Sequence, residues 1–316
     1  MVYADREGER KRNYYEMNRT PIHMLVRKAS MPVPHLYLHG ILRRKYNALS
    51  SRRYQSCVTV EAQHTALFLS SASWPEPNAT AAGTRTNSLL ELFTSSSLFS
   101  SVHFGCGADR SPSVNIHSSH YKNVHWHHIK LNREKEMKAL LNTIENEYGA
   151  IKAVIFDRFY TEEAFSFIIK DACPKALRIL DMQDVHSLRI GRQNLAHIFD
   201  REYNNESLSV ELMEKIMSFD PKDNYQEEMI DMSSSSMASH NKITAKSYDT
   251  FLRELASIQR SDLVLVCSSA EMKLLQAWNI SNWKMVLAPF FCDIASTYEL
   301  PSSSDRYDFV TVGGYV

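Results

Sequence analysis

The sequence has no excess of charge of either sign, because 36 lysine and arginine residues balance 36 aspartate and glutamate residues. A chain with this balance has no overall field that would attract nucleic acid or an anionic membrane surface. It also lacks an apolar run of the roughly 18 residues that cross a bilayer. Its first residues are charged throughout, unlike a signal peptide. We therefore expect no nucleic-acid partner, no transmembrane segment and a cytoplasmic location.

Several chemical signatures are missing as well. The five cysteines are scattered and form no Cys-x-x-Cys pair, so they favour a reducing compartment over a disulfide framework. No complete Walker, Gly-x-Ser-x-Gly or His-Glu-x-x-His motif occurs. Residues 17–60 contain no acid and many basic residues, as a transit peptide would. Import into an organelle is therefore the alternative to a cytoplasmic location.

Composition divides the chain into three parts. Residues 1–64 lack sustained periodicity and carry the basic excess of the chain, which is typical of a flexible extension. Residues 65–300 predict one domain, with a polar insertion at about 203–245 that contains a run of serines. Residues 301–316 begin as a Ser- and Pro-rich linker and continue as an apolar run followed by two glycines.

Short apolar runs alternate with segments of helical periodicity through the predicted domain. We predict strands over residues 66–71, 102–106, 124–131, 153–157, 178–181, 263–267 and 284–289. We predict helices over residues 84–93, 133–148, 161–173, 209–219, 246–259 and 269–278. This alternation favours an α/β fold with a doubly wound parallel sheet that helices cover on both faces.

In an open parallel sheet, ligands bind beyond the carboxyl ends of the strands, so the loops there carry the candidate site. The first such loop covers residues 70–85. Gly83 would let the backbone approach a ligand closely, and the helix that follows it would offer N–H groups to an anion. Arg85 would add a charged contact to phosphate. The alternative is an ordinary loop with a helix cap and a surface arginine.

The loop after the fifth predicted strand has the highest density of polar groups. Gln183, Asp184 and His186 follow the strand, and Arg189 lies about one helical turn further on. The amide, carboxylate and imidazole can bind sugar hydroxyls, and the guanidinium can bind an anionic group. In the alternative interpretation Asp184 caps the next helix, and Arg189 and Arg192 pair with acids further along it. The polar density at a strand end favours a binding site.

Two further clusters have simpler interpretations. Ser268 and Glu271 have the spacing of a capping box, and Ser268 is also a candidate ligand contact because it follows a predicted strand. His125 and His127 would share one face of a strand, which permits a metal site to be drawn. They lack a carboxylate or cysteine partner, so an edge strand is favoured and we expect neither a metal nor another cofactor.

Taken in order, these motifs resemble the group 1 glycosyltransferases of the GT-B fold. Residues 66–90, with Trp-Pro-Glu-Pro and Ala-Gly-Thr-Arg stretches, are similar to the opening of that family. Residues 180–189 are similar to a Leu-Asp-x-Gln-Asp-x-His-x-x-Arg segment in one branch of it. Residues 253–271 and 287–290 resemble the last helix–strand units of the N-terminal domain. Residues 309–314 resemble the strand that starts the donor-binding domain.

The resemblance implies the Rossmann-like, acceptor-side domain of a retaining transferase. Such an enzyme moves a hexosyl group from a nucleotide-sugar to an acceptor in the cleft between two domains, without a metal. By this resemblance Gly83 and Arg85 would face the donor phosphates. His186 would contact the transferred sugar near the reacting centre, and Gly313 and Gly314 would begin the diphosphate loop.

The chain departs from the family because only the first strand of a donor-binding domain has a counterpart. One interpretation is a transferase whose donor domain comes from a continuation or from a partner chain, with this chain alone inactive. A second is a catalytically inactive sugar- or partner-binding module of the same fold. A third is another nucleotide-binding α/β protein, such as an epimerase-like enzyme. The first strand lacks the Gly-x-Gly-x-x-Gly of a dinucleotide site, which disfavours the third.

Overall fold

A computed structural model provides the structure of the domain. It describes residues 64–76, 80–109, 123–202, 210–222 and 238–290. The predicted basic extension up to residue 63, most of the polar insertion, and the C-terminal linker with Gly313 and Gly314 lie outside these residues. None of the described helices is long and apolar enough to cross a membrane.

The described residues alternate between strands and helices, as the apolar pattern predicts. The strands are β1 (Thr65–Ser70), β2 (Ser101–Cys106), β3 (Val124–His128), β4 (Ile151–Asp157), β5 (Leu177–Asp181), β6 (Leu263–Val266) and β7 (Met285–Leu287). The α-helices are α1 (Ala81–Thr94), α2 (Glu134–Tyr148), α3 (Phe159–Ala172), α4 (His186–Glu202), α5 (Val210–Ser218), α6 (Ala238–Arg260) and α7 (Ser269–Ala277). A short 3-10 turn, Asn282–Lys284, precedes β7.

The seven strands form one sheet in the order β3-β2-β1-β4-β5-β6-β7. Every neighbouring pair is parallel. The chain moves outward in one direction from β1 to β3 and in the opposite direction from β4 to β7, so the order reverses between β1 and β4. This arrangement confirms the predicted α/β fold with a doubly wound parallel sheet.

Helices bury both faces of the sheet, which explains why the strands are apolar without alternation. Leu67 and Leu69 of β1 belong to a core that includes residues of α2, α3, α6 and α7. Ala66 and Phe68, which point to the opposite face, pack with residues of α1. Two hydrophobic cores therefore sandwich the sheet and fix the positions of the strand ends that carry the polar loops.

The largest difference from the predicted elements is at α6. This helix begins at Ala238, eight residues before the predicted start at 246. The added residues are mostly polar and lack the apolar spacing from which a helix is predicted. The helix packs against α3 and α4. These tertiary contacts stabilise it, and they cannot be inferred from the spacing of apolar residues in the sequence. Strand β3 is shorter than predicted and ends at His128.

Strand β2 carries a buried histidine that faces two histidines of β3. His103 has no exposed surface, and its Nδ1 lies 2.8 Å from Nε2 of His127. Its ring stacks on His125 at a centroid distance of 4.6 Å and meets the ring of Tyr148 edge-on at 4.7 Å. Burial, followed by the neighbouring imidazoles, lowers the pKa of His103 to about 3. The imidazole therefore remains neutral in the folded protein under mildly acidic conditions.

This histidine should make the fold sensitive to acid. Between the unfolded pKa of about 6.5 and the folded value of about 3, the unfolded chain binds the extra proton, so stability falls as pH decreases. We expect His103 to cost about 2 kcal/mol of unfolding free energy on going from about pH 7.5 to 5. Urea unfolding of His103→Gln, which cannot titrate there, should show a correspondingly shallower pH dependence. Equal pH dependences of the two proteins would contradict this assignment.

Candidate functional site

The candidate site lies at the carboxyl edge of the sheet, where the strand order reverses. The loops after β1 and β4 diverge from neighbouring strands there and leave a crevice, the usual ligand position in a doubly wound sheet. Side chains bridge its floor. Ser70 Oγ donates to Asp157 Oδ2 (2.9 Å), and the backbone N–H of Ser71 donates to Thr161 Oγ1 (3.1 Å).

Gly83 lies in the first turn of α1, beneath the loop that follows β1. A Cβ atom at this position would lie 2.3 Å from the backbone oxygen of Glu76. The absence of a side chain therefore lets the chain around Glu76 pack directly on the helix. Thr80 Oγ1 accepts from the N–H of Gly83 at 2.9 Å and caps the helix. The glycine thus positions a loop at the crevice, and close approach of a ligand at Gly83 stays a prediction.

Arg85 is placed differently from both of its predicted interpretations. It has no exposed surface, and its Nη2 lies 2.8 Å from Asp181 Oδ1 at the end of β5. Its Nε also donates to Asp181, and its Nη1 donates to the carbonyl of Ala288 after β7. It is therefore not a surface arginine, and a phosphate contact would require this buried ion pair to open. The structure assigns Arg85 to joining α1 to the ends of β5 and β7.

A cleft of about 550 Å³ opens beside this ion pair. Residues from the loops after β4, β5 and β7 and from the first turns of α1, α3 and α4 line it: Ala81, Ala82, Arg158, Tyr160, Gln183, Asp184, His186, Arg189 and Phe290. Four of the residues predicted from the β5 loop are therefore brought together in one cavity. Apolar, aromatic, amide and charged groups converge there, as in small-molecule sites.

His186 and Asp184 contact each other in the lining of the cleft. His186 Nδ1 lies 2.7 Å from Asp184 Oδ1, and Arg189 Nε donates to Asp184 Oδ2 at 2.6 Å. Burial opposes ionisation of Asp184, but its contacts with His186 and Arg189 outweigh burial and lower the pKa of the carboxyl. The imidazole also meets the ring of Phe159 edge-on, at a centroid distance of 5.4 Å. A carboxylate and an aromatic wall thus orient the His186 ring.

The first turn of α4 is capped from distant parts of the chain. Glu254 of α6 has 1% exposure and accepts from His186 N (2.6 Å) and Ser187 N (3.0 Å). Glu271 of α7 accepts from Val185 N at 3.2 Å. The alternative in which Asp184 caps this helix is therefore corrected: the acceptors are Glu254 and Glu271. Because carboxylates occupy these N–H groups, the start of α4 is not set up to bind an anion.

Ser268 takes the helix-capping role that its spacing predicts. Its Oγ accepts from the backbone N–H of Glu271 at 3.1 Å and also donates to Glu271 Oε2 at 3.0 Å. The capping interpretation is confirmed for Ser268. A role of Ser268 in ligand binding would compete with the cap, and Glu271 at the same time anchors the loop that carries Asp184.

Arg158 and Tyr160 also line the cleft, although sequence reasoning missed them. Arg158 follows β4 directly, and its Nη1 donates to the Tyr160 hydroxyl while its Nη2 donates to Gln183 Oε1 at 3.2 Å. The signal was present, because Asp157 and Arg158 follow an apolar run just as Asp181 does. The rule that selects polar residues at strand ends applies equally to the β4 loop.

Asp157 and Gln183 connect the two strand ends below the cleft. Gln183 Nε2 donates to Asp157 Oδ1, and both side chains are buried. Burial raises the pKa of the Asp157 carboxyl, and the nearby Arg158 charge opposes this rise. Gln183 is therefore held by hydrogen bonds to both its amide nitrogen and its amide oxygen.

In the described part of the chain, no group of three or more His, Cys, Asp or Glu side chains is arranged to hold a metal ion.

The strand order defines a Rossmann-like α/β fold. No protein-family model and no curated protein sequence matches the chain. Among solved structures it is similar to the Cj0485 dehydrogenase, with 9% identity and a TM-score of 0.28 over 39% of this chain and 52% of that chain. It is also similar to a short-chain dehydrogenase from Oenococcus oeni PSU-1, with 10% identity and a TM-score of 0.26 over 73% and 97%.

The match spans about half the length of the first of these structures. Likeness at 9% and 10% identity concerns the fold alone. Because a Rossmann-like sheet supports many chemistries, the functional argument depends on the residues of the cleft.

Proposed function

We propose that the chain is the acceptor-side domain of a retaining glycosyltransferase that moves a hexosyl group from a nucleotide-sugar to an acceptor. The observation that carries this proposal is the meeting of Gln183, Asp184 and His186 in one cleft at the carboxyl edge of the sheet. These residues belong to the segment that resembles a Leu-Asp-x-Gln-Asp-x-His-x-x-Arg stretch in one branch of the glycosyltransferase family. Their position in one cleft supports a shared role in binding a ligand.

The chemistry of the cleft suits a sugar. Hexoses present hydroxyl groups that both donate and accept, and an ionised carboxylate, an amide and an imidazole complement them. The lowered pKa of Asp184 keeps this carboxylate an acceptor at neutral pH. The rings of Tyr160 and Phe290 add apolar surface to the same cleft. The site combines one apolar wall with a few oriented polar groups, which favours a small polar ligand.

Within this proposal His186 contacts the transferred sugar. Its Nδ1 faces Asp184, and its backbone N–H is fixed by Glu254, so ring and backbone are both held before a ligand binds. Such preorganisation is what a group beside a reacting centre requires. Donor phosphates would lie near Ala81 and Ala82 at the start of α1, which line the cleft. A continuation or a partner chain would supply the domain that binds the nucleotide, where we expect Gly313 and Gly314.

A dinucleotide-dependent enzyme is less well supported by the same region. Rossmann-type dinucleotide sites need glycines after the first strand, so that the backbone can approach the pyrophosphate. This chain has Ser70 and Ser71 there, and both are hydrogen-bonded across the crevice to Asp157 and Thr161. Neither position is a glycine, so the backbone lacks the freedom that this kind of site requires.

Saturation-transfer NMR on the full chain tests the proposal with UDP-glucose, GDP-mannose and NAD as probes. We expect saturation to be strongest on the hexosyl protons of a nucleotide-sugar and weaker on its nucleoside. His186→Ala should weaken binding about tenfold. The variant loses one buried hydrogen bond, which contributes about 1.4 kcal/mol, and this energy corresponds to a tenfold change in Kd. Lys135→Ala, an exposed position on α2, serves as the control.

Preferential saturation of NAD, or no effect of His186→Ala, would contradict the proposal. Sugar binding by the chain that never leads to transfer, even when a donor-binding domain is supplied, would instead support a non-catalytic sugar-binding module. The two functions share the cleft and differ only in turnover.

A further inference from the structure

The backbone of Arg158 adopts an unfavourable conformation at the mouth of the cleft. Its φ is 70° and its ψ is 164°, a combination that glycine reaches freely and residues with a Cβ rarely adopt. The hydrogen bond from its N–H to the carbonyl of Asp181 (2.8 Å) holds this conformation at the end of β4. A glycine would meet the backbone requirement without strain, so the arginine side chain calls for a separate explanation.

A second strained residue lies on the adjacent strand. Gln183 follows β5 with a φ of 60°, and its Oε1 accepts from Arg158 Nη2 at 3.2 Å. Two neighbouring strands thus end in non-glycine residues with positive φ, and both side chains line one cleft. Strained backbone tends to collect at functional sites, where the geometry of a side chain is worth its energetic cost.

The guanidinium of Arg158 retains donor capacity inside the cleft. Arginine has five N–H donors, and those of Arg158 bond to Tyr160 and Gln183 among the described residues. The side chain is 19% exposed, so it is largely buried yet reachable. Because the Tyr160 oxygen accepts from Arg158, its own hydroxyl proton can be donated to a ligand. Burial raises the pKa of Tyr160 against the opposing charge of Arg158, which keeps that proton in place.

The two arginines of the cleft differ in how tightly they are paired with carboxylates. Arg189 is paired with Asp184 at 2.6 Å, and that pair is close to neutral as a unit. The nearest carboxylate to Arg158 is Asp157, whose Oδ1 lies 3.9 Å from Nε and accepts from Gln183. Arg158 therefore lacks a tight ion-pair partner in the described residues, unlike Arg85 and Arg189.

We infer that Arg158 and Tyr160 form a subsite for an anionic oxygen group, a phosphate ester or a carboxylate, on the acceptor of the transfer reaction. The identification of the ligand as an acceptor rests on the proposed glycosyltransferase function. The anion subsite itself rests only on the residues of the cleft. A guanidinium beside a hydroxyl donor matches the oxygens of either group, and partial burial strengthens the contact. The acceptor class is then an anionic polyol or sugar rather than a neutral one.

Calorimetric titration of the full chain tests the subsite with methyl glucoside, glucose 6-phosphate, glucuronate and inorganic phosphate. We expect at least one anionic hexose to bind about tenfold or more tightly than methyl glucoside. The phosphate and carboxylate arms distinguish the two sources of the anionic group. In Arg158→Gly, which lacks the guanidinium, this preference should disappear. Arg158→Lys, which keeps the charge without the planar fork, should retain only part of it.

Arg158→Gly should fold, because glycine adopts a φ of 70° without strain, and its melting temperature checks this. Lys135→Ala, on exposed α2, should keep the anionic preference. Equal affinities of the unsubstituted chain for neutral and anionic hexoses would overturn the subsite. A preference for anionic hexoses that survives in Arg158→Gly would overturn it as well. Arg158-dependent binding of inorganic phosphate without any hexose binding would support the subsite and contradict the proposed transferase, so the two failures are distinguishable.

Discussion

Replacing Arg85 with methionine should destabilise the domain by about 3–5 kcal/mol, because the substitution leaves a buried carboxylate without its partner. Asp181 is 2% exposed and receives donors from Nε and Nη2 of Arg85. The carbonyl of Ala288 would lose a donor at the same time. Since domains are stable by about 5–15 kcal/mol in total, this one side chain accounts for a large part of the margin. Urea unfolding followed by tryptophan fluorescence measures the loss.

A double variant separates the buried charge from the lost packing. Arg85→Met with Asp181→Leu removes both charges, and we expect it to be more stable than Arg85→Met alone, since an apolar pair avoids an unpaired buried ion. Arg85→Lys keeps the positive charge but lacks the planar guanidinium. Its stability should lie between those of Arg85→Met and the double variant. A loss below about 1 kcal/mol for Arg85→Met would contradict the assignment of a buried carboxylate that depends on Arg85.

Glu254→Ala should cost about 3 kcal/mol and loosen the start of α4, although residue 254 lies 68 positions from His186 along the chain. The carboxylate accepts from the N–H groups of His186 and Ser187 and from the Ser187 hydroxyl. Without it these buried donors have no acceptor, and unsatisfied buried donors are costly. Hydrogen exchange should therefore accelerate in the first turn of α4, and urea unfolding should report the global loss.

Glu163 provides a control, since its carboxylate also accepts hydrogen bonds, in this case from an arginine. Its partner Arg253 lies 2.7 Å away, but the pair is partly exposed, so Glu163→Ala should cost at most about 1 kcal/mol. It should leave exchange in α4 unchanged. Similar losses of unfolding free energy in Glu254→Ala and Glu163→Ala would contradict the role assigned to Glu254. Unchanged amide hydrogen exchange at His186 in Glu254→Ala would contradict it as well.

The sheet was predictable from the sequence because its signal is local. Strands β1, β4 and β6 are apolar runs that the two cores bury, and such runs are visible without knowing their neighbours. The helices α2 and α3 were equally visible, since each shows one apolar face. The start of α6 was not, because its first residues are polar and the helix is stabilised by packing on other helices.

The candidate site was predictable in location but not in the roles of its side chains. The rule for parallel sheets led to the β5 loop and to His186, and these residues do converge. No local pattern distinguishes an arginine that faces a ligand from one buried against Asp181, 96 residues away. The same holds for Glu254 as the acceptor for α4. Long-range charge pairing depends on the assembled fold, so it becomes visible only in three dimensions.

The buried charges and the cleft together give a consistent physical account. Arg85 neutralises Asp181 and ties three elements together, and Glu254 fixes the start of α4. These groups have structural roles. The ionisable groups that line the cleft are Arg158, Tyr160, Asp184, His186 and Arg189. The proposed chemistry therefore depends on side chains that the scaffold holds in place without satisfying them fully.

The central claim, that the cleft around His186 binds the sugar of a nucleotide-sugar, is tested most directly by NMR of the full chain with ¹³Cε1-labelled histidines. Thirteen histidines give a resolvable spectrum, and His186→Gln assigns the key resonance. Titration with UDP-glucose or GDP-mannose should shift the His186 signal and leave that of exposed His197, on the same helix, in place. An unchanged His186 signal at saturating nucleotide-sugar, or a shift induced only by NAD, would contradict the account.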